Sequence, residues 1–272
     1  MSAGTGGWEL PISEGELSRL TRDLDEAHRE YLPLMHAAAT DLGEELRDTQ
    51  SAQLGLASRR RFLLGAGGVA AALTLAACSS SGSKNAVGVG ASSSMSPSGS
   101  SSGSVYTGDL KVVALATALE NQAVGAYTAA LAAAKAGKLG TVPPAVGTFA
   151  TTAMAQHADH AKAWNAVLTG AGKPAITGVP LSNQPATLKA LGAATTVGDV
   201  AKLALELENQ AAQTYLFAAY NVSSAGGIAT AASIAPVEAM HAAILNFVLG
   251  QYPVPDDFLP VDKAASPTLL TV

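Results

Sequence analysis

Near its C-terminal end the chain reads Ala235-Pro236-Val237-Glu238-Ala239-Met240-His241. Glu238 and His241 are three residues apart, so on a helix their side chains point to the same face. The rest of that face is apolar and consists of Ile234, Val237, Ile244, Leu245 and Val248. A carboxylate and an imidazole in an apolar stripe cost free energy unless other groups pair with them. Because Glu-x-x-His is the spacing by which one helix gives a metal two ligands inside a helical bundle, the stretch predicts a buried metal site.

Composition limits the classes of protein that fit. The chain has 272 residues, of which 48% are apolar and 14% charged, and so little charge predicts a targeting segment and a helix-rich core. Residues 78–272 carry nine lysines, ten acids and no arginine, which makes them a poor candidate for nucleic acid binding. The single cysteine, Cys78, excludes an intramolecular disulfide and a cysteine-ligated zinc site.

Residues 1–57 have the pattern of an acidic N-terminal extension, with eleven acids and four arginines. Apolar residues recur among the charges at roughly helical spacing, namely Leu17, Leu20, Leu24 and Tyr31. We expect Pro33 to interrupt this helix, and the segment is too short and polar to bury a core of its own. The extension is either a real cytoplasmic segment or the product of a mis-called start, with Met35 as the true initiator.

Residues 58–78 resemble a bacterial export signal. The stretch Ser58-Arg59-Arg60-Arg61-Phe62-Leu63-Leu64 is similar to the twin-arginine signal, with Arg59 and Arg60 as the pair. The apolar run that follows has the length of a signal h-region and falls short of the roughly 20 residues of a spanning helix. Leu75-Ala76-Ala77-Cys78 resembles the lipobox of lipoproteins, in which the cysteine is lipidated and becomes the first mature residue. The alternative is a basic surface loop followed by a buried helix.

This resemblance implies three properties. The twin-arginine export machinery would be a partner, Cys78 would carry a lipid anchor in the membrane, and the protein would lie at the outer face of the cytoplasmic membrane or in the cell envelope. Residues 79–104 are rich in Ser and Gly and predict a flexible linker between anchor and domain.

Residues 105–251 have the pattern of an all-α domain. We predict four helices at about 109–136, 144–170, 197–222 and 228–250, a helical turn at 186–192, and an extended tail at 252–272. Pro236 either kinks the fourth helix or marks its effective start. Short turns join the helices within each pair, and a connection of about 26 residues joins the pairs. This arrangement predicts a four-helix bundle with a long crossover between helices two and three.

An internal repeat sets the register of the two pairs. Leu-Glu-Asn-Gln-Ala occurs at 119–123 and again at 207–211, and in each copy a tyrosine follows the glutamate by seven residues. The glutamates are Glu120 and Glu208, and the tyrosines are Tyr127 and Tyr215. Each glutamate lies on the apolar stripe of its helix and is expected to face the bundle centre. Glu206 projects away from that stripe and is expected to be exposed.

The second predicted helix adds two histidines three residues apart, which completes a set of six inward ionisable residues. They are Glu120, His157, His160, Glu208, Glu238 and His241. Three carboxylates and three imidazoles inside a dry bundle would be poorly solvated without a cation. Carboxylates and imidazoles without a thiolate favour iron or manganese over structural zinc, although zinc is not excluded.

These residues resemble the ferritin-like superfamily of di-iron and di-manganese carboxylate proteins, and in particular its exported, twin-arginine-linked bacterial members. The resemblance covers about 105–250 and implies a dinuclear centre with the ligand order Glu, Glu-x-x-His, Glu, Glu-x-x-His. Five of the six residues match that order, and the sixth, His157, stands where the family has a glutamate. Because His157 removes one bridging carboxylate, a mononuclear or asymmetric centre is an alternative to a dinuclear one. Tyr127 and Tyr215 are either core aromatics or donors that hold the ligand glutamates.

Three functions follow as alternatives, and whether the protein is an enzyme stays open. The first is a metal-dependent redox protein of the envelope, for iron oxidation or for peroxide or oxygen chemistry. The second is a module that binds metal without turnover. The third is a structural or interaction lipoprotein on a degenerate, metal-free bundle, in which His157 would be the first sign of decay.

Overall fold

The computed structural model describes residues 10–65, 104–255 and 259–272, with the backbone alone for residues 50–65. These residues form six α-helices and no strand: α1 Glu14–Gly65, α2 Asp109–Lys135, α3 Pro144–Gly170, α4 Gln184–Ala193, α5 Val197–Asn221 and α6 Ala225–Val248. The described residues up to Gln50 and from Val105 onwards belong to one compact unit, and residues 51–65 belong to a second. Cys78 and most of the predicted linker lie outside the described residues. The predicted all-α class is confirmed.

The four bundle helices lie close to their predicted bounds. The predicted helical turn is α4, which sits in the crossover between α3 and α5. Pro236 lies well inside α6, so the idea that it marks the start of this helix is wrong. The tail is not wholly extended, because Pro267–Leu269 form a 3-10 turn and Leu270 pairs with Leu181 of the crossover.

Glycines end three of the bundle helices in the same way. Gly137, Gly172 and Gly250 all have φ near +70°, a conformation that glycine adopts without steric cost. After α2, the amide of Lys138 donates to the carbonyl of Ala133, and the amide of Gly137 donates to Ala134. This is the Schellman pattern, which satisfies carbonyls that the helix itself leaves unpaired. At the start of α5, Thr196 and Asp199 form the expected capping box.

The helices pair as the connection lengths predict. α2 packs against α3, α5 packs against α6, and α2 also contacts α5. The crossover is tied to the bundle by two asparagines, since the side-chain amides of Asn121 and Asn165 both donate to the carbonyl of Ile176 at 2.9 Å. Asn121 belongs to the first copy of the repeat, so the repeat anchors the crossover as well as carrying a glutamate.

The helix predicted in the N-terminal segment is α1, and its part before residue 50 packs on the bundle, which the sequence pattern did not predict. The expected break at Pro33 is wrong: the proline lies inside α1 and is exposed, so water can reach the carbonyl that loses its helical partner. Leu17 and Leu24 are buried in a cluster with Phe149 of α3, while Met35 and Leu42 join the larger core. Tyr31, expected on the apolar stripe, is 57% exposed.

Contacts of the part of α1 before residue 50 hold it against α3 and α6. The carboxylate of Glu14 accepts from the amide of Ala145 at the start of α3, and the guanidinium of Arg47 donates to the carbonyl of Gly170 at its end, at 2.6 Å. An acid at the N-terminus and a cation at the C-terminus of α3 both complement its dipole. Gly226 of α6 faces the α1 backbone so closely that an added Cβ would lie 2.8 Å from the nitrogen of Leu42.

Among the described residues, α6 is the one helix long and apolar enough to cross a membrane. Its apolar composition has a simpler explanation, because the helix is a core element of the bundle. Its buried face includes Glu238 and His241 along with Ile234 and Leu245. Both ionisable residues of the sequence stretch therefore point into the protein.

Candidate metal centre

The structure brings all six predicted residues together in the bundle core. Glu120 comes from α2, His157 and His160 from α3, Glu208 from α5, and Glu238 and His241 from α6. None of the six is more than 1% exposed. Glu206 is exposed, as expected from its opposite orientation. The side of α2 and of α5 that faces the bundle centre was therefore predicted correctly from the internal repeat.

The six residues form two overlapping groups of four. One comprises Glu120, His157, His160 and Glu238, and the other comprises His157, Glu208, Glu238 and His241. Within each group the potential ligand atoms all lie within 4.8 Å of one another. His157 and Glu238 belong to both groups. This geometry is compatible with one ion or with two neighbouring ions.

Glu238 is the residue whose surroundings depart most from an ordinary core. It is fully buried, and neither carboxylate oxygen accepts a hydrogen bond. His160 Nδ1 lies 2.9 Å from one oxygen, and His241 Nδ1 lies 3.4 Å from the other, but the angles do not make hydrogen bonds. Both ring nitrogens of His160 also lack hydrogen-bond partners. Buried polar atoms are nearly always satisfied, so these convergent oxygen and nitrogen atoms fit a metal ion.

His157 lies between the two halves of the site. Its Nδ1 is 2.7 Å from an oxygen of Glu120, and its Nε2 is 3.1 Å from an oxygen of Glu208. A protonated imidazole here donates to both glutamates of the repeat. The residue that departs from the family pattern is thus a link between two carboxylates and not a loose core side chain.

The two tyrosines exchange partners across the repeat. The hydroxyl of Tyr127 donates to Glu208, and the hydroxyl of Tyr215 donates to Glu120. Each tyrosine follows its own glutamate by seven residues, so this reciprocal pairing requires α2 and α5 to run antiparallel. Because α2 and α3 are also antiparallel through their short turn, α3 and α5 run parallel, which is the predicted crossover topology.

At most of these groups, attraction between opposite charges shifts the pKa more than burial does. Burial alone would lower the pKa of a histidine, but the carboxylates of Glu120 and Glu238 raise the pKa of His160 to about 9. The pKa values of His157 and His241 are raised in the same way. Burial alone would raise the pKa of Glu120, but His160 and His157 hold it at about 2. Without a metal ion, each of the three imidazoles therefore holds its proton more firmly than a free histidine does, and Glu120 loses its proton more readily than a free glutamate does.

Three further residues at the centre were not predicted as functional from the sequence. Gln156 accepts a hydrogen bond from Nε2 of His241 at 2.8 Å, which orients Nδ1 of that ring towards the carboxylates. The indole of Trp164 donates to the hydroxyl oxygen of Tyr215 at 2.9 Å. His28 of α1 contacts His160, with ring centroids 5.3 Å apart. Burial and the neighbouring His160 lower the pKa of His28 to about 4.

Of these three residues, only Trp164 could have been found from the sequence, because it lies on the same helical stripe as His157 and His160. Gln156 is one of several glutamines and has no distinguishing neighbour pattern. His28 lies in an acidic segment that had no expected contact with the domain.

Comparison with known proteins agrees with this geometry. No curated protein and no solved structure matches the chain. The family model described as the ferritin-like domain matches residues 108–251, which span α2 to α6 and contain all six residues of the centre. α1 and His28 lie outside the matched residues. The chain belongs to the ferritin-like domain family.

Proposed function

We propose that this protein binds iron or manganese in the bundle core and uses it for iron oxidation or for peroxide or oxygen chemistry. The observation that carries the proposal is the carboxylate of Glu238, which is fully buried, accepts no well-oriented hydrogen bond and has histidine nitrogens on both sides. A metal ion is the partner that satisfies such oxygen and nitrogen atoms together.

The six residues of the two groups would hold the metal. Iron or manganese bound there would supply redox chemistry towards oxygen or peroxide. The hydroxyls of Tyr127 and Tyr215 fix the orientation of Glu208 and Glu120, and Gln156 fixes that of His241. The apolar packing around the centre excludes bulk water, which strengthens each of these interactions.

Added metal should stabilise the full chain. After removal of metal with a chelator, Mn²⁺ at about 100 times its dissociation constant should add roughly 2.7 kcal/mol of unfolding free energy. For a chain of this size that raises the melting temperature by about 5–11 °C. Ca²⁺, which prefers oxygen ligands, serves as the control ion and should have little effect. An equal response to both ions, or to neither, would contradict the proposal.

The stabilisation by metal should increase with pH. Because the pKa values of the three site histidines are raised, the metal-free chain holds their protons to higher pH than free histidine does, and each ligand must lose its proton to bind. The shift in melting temperature should therefore be larger at about pH 8.5 than at about pH 6. A shift independent of pH would show that the histidines are not ligands.

A separate assay distinguishes turnover from binding alone. The metal-loaded chain should consume hydrogen peroxide or oxidise ferrous iron faster than the same protein loaded with Zn²⁺, which has no redox chemistry. Equal rates with the two metals would show that the protein binds metal but lacks this activity.

One observation favours a second candidate, a metal-free structural bundle. His157 links Glu120 and Glu208 by hydrogen bonds, and three imidazolium groups would balance three carboxylates without any ion. In that case the protein would contain no metal, and added metal would not change its melting temperature.

We also propose export and lipid anchoring at Cys78, on the strength of the twin-arginine and lipobox patterns. Cleavage before Cys78 would remove α1, so the full chain with α1 packed on the bundle would be the form that exists before cleavage. In a bacterial host, the envelope fraction should contain protein that begins at Cys78 by mass spectrometry. Replacing Arg59 and Arg60 by lysine should abolish this form, whereas Arg61→Lys, the matched control, should not. Full-length protein in the cytoplasm of both variants and the parent would contradict export.

A further inference from the structure

A cavity of about 300 Å³ lies beside the candidate metal centre, between α1, α3 and α6. His160 forms part of its lining, so the cavity reaches one of the six residues of the centre. The opposite wall comes from α1 and includes His28, Leu32 and Met35. Because α1 lies outside residues 108–251, which match the family, the matched domain alone does not form this cavity.

Two imidazoles in the cavity wall have unused hydrogen-bonding nitrogens. His28 is 4% exposed, and its Nε2 has no hydrogen-bond partner. Nε2 of His160 is also buried and unpartnered, and the two rings are 5.3 Å apart between centroids. The contrast with His241 is informative, because Nε2 of that ring is satisfied by Gln156. The equivalent position next to His160 has no protein group to fill it.

The rest of the lining restricts what can enter. Among the described residues that form the wall, none is Asp, Glu, Lys or Arg, and most are Ala, Leu, Met, Val or Pro. A charged solute would lose its hydration there, and an anion would gain little from His160, because oxygens of Glu120 and Glu238 already lie 3.6 Å and 2.9 Å from Nδ1 of that ring. The volume is ample for one aromatic ring, since an apolar cavity of about 150 Å³ takes up benzene.

We propose that this cavity binds a small neutral molecule with a largely apolar body and a hydroxyl group, and that His28 and His160 hold the hydroxyl next to the centre. The hydroxyl satisfies the two nitrogens that the protein leaves unpaired, and the apolar body fills the space lined by α1 and α6. In the chain before cleavage at Cys78, α1 is then part of this site, since it supplies one of the two polar groups. That this molecule also reacts at the metal centre is an inference that rests on the proposed metal function.

The test uses the full, metal-free chain and three probes of similar size: phenol, benzene and benzoate. Calorimetric titration should show binding of phenol, weaker binding of benzene, and no binding of benzoate. His28→Leu should weaken phenol binding by roughly tenfold, the loss of about one buried hydrogen bond, and leave benzene binding unchanged. His36→Leu, a half-buried histidine on the same helix that does not line the cavity, is the matched control.

A second variant protects the test against misfolding. Ala232→Trp at the exposed edge of the cavity should block phenol and benzene alike while leaving metal content unchanged. The proposal is overturned if phenol does not bind, if benzoate binds as well as phenol, or if His28→Leu binds phenol as the parent does. The probes are titrated without metal, so this test does not depend on the metal centre. If the chain binds phenol but cannot take up metal, the proposed redox function is wrong and the cavity proposal stands.

Discussion

Replacing Glu238 by alanine is expected to weaken Mn²⁺ binding by roughly 100-fold or more. Substitutions of groups that only orient metal ligands already cost about 10–100-fold in affinity, so a ligand shared by both groups should cost at least as much. The affinity can be measured by titration, following the electron paramagnetic resonance signal of free Mn²⁺.

The overlap of the two groups makes a sharper prediction. Without Glu120, the group of His157, Glu208, Glu238 and His241 is still complete, so Glu120→Ala should reduce binding to one ion if the parent holds two. Glu238→Ala breaks both groups and should remove all tight binding. Glu206→Ala, which removes an exposed acid from α5, is the matched control. Parental affinity in Glu238→Ala would exclude this carboxylate as a ligand.

Replacing Gly226 by alanine is expected to detach α1 from the bundle and lower the unfolding free energy by about 2 kcal/mol. The new Cβ would lie 2.8 Å from the nitrogen of Leu42 and 2.9 Å from the carbonyl oxygen of Ala38. Both are backbone atoms that cannot move without the helix, and such overpacking costs about 1–3 kcal/mol. Chemical denaturation measures the loss, and limited proteolysis should show faster cleavage within residues 14–49.

Gly125→Ala is the matched control for this substitution. Gly125 lies in α2 with no atom within 4 Å of its added Cβ, so alanine there should stabilise the helix by up to about 1 kcal/mol. Metal content should be the same in both variants, because all six residues of the centre come from α2, α3, α5 and α6. A Gly226→Ala chain as stable and protease-resistant as the parent would show that α1 does not pack where the structure has it.

The bundle could be predicted because its signals are local. A glycine that ends a helix, a proline that begins one and a repeated Leu-Glu-Asn-Gln-Ala each act within a turn or two of the chain. The repeat also fixed the inward face of α2 and α5, because Glu120 and Glu208 occupy equivalent positions. The exchange of partners between Tyr127 and Tyr215 could not be predicted, since it depends on how α2 and α5 lie against each other, and Tyr127 is 81 residues from its partner Glu208.

The packing of α1 on the bundle was not predicted, for a different physical reason. Its buried stripe includes Leu17, Leu24, His28, Met35 and Leu42, and the histidine in the middle interrupts the apolar pattern. Tyr31 appeared to continue the pattern but is exposed. A helix with so many charges can bury a face only against another element, and no local signal identified the groove between α3 and α6 as that element.

The most direct test of the account is the metal content of the full chain, expressed in the cytoplasm without chelator and measured by elemental analysis. We expect about one or two iron or manganese ions per chain, a loss of nearly all metal in Glu120→Ala/Glu238→Ala, and no loss in Glu206→Ala. A full chain that carries no metal and takes up none on addition, or a double variant that retains the metal, would contradict a metal centre in the bundle core.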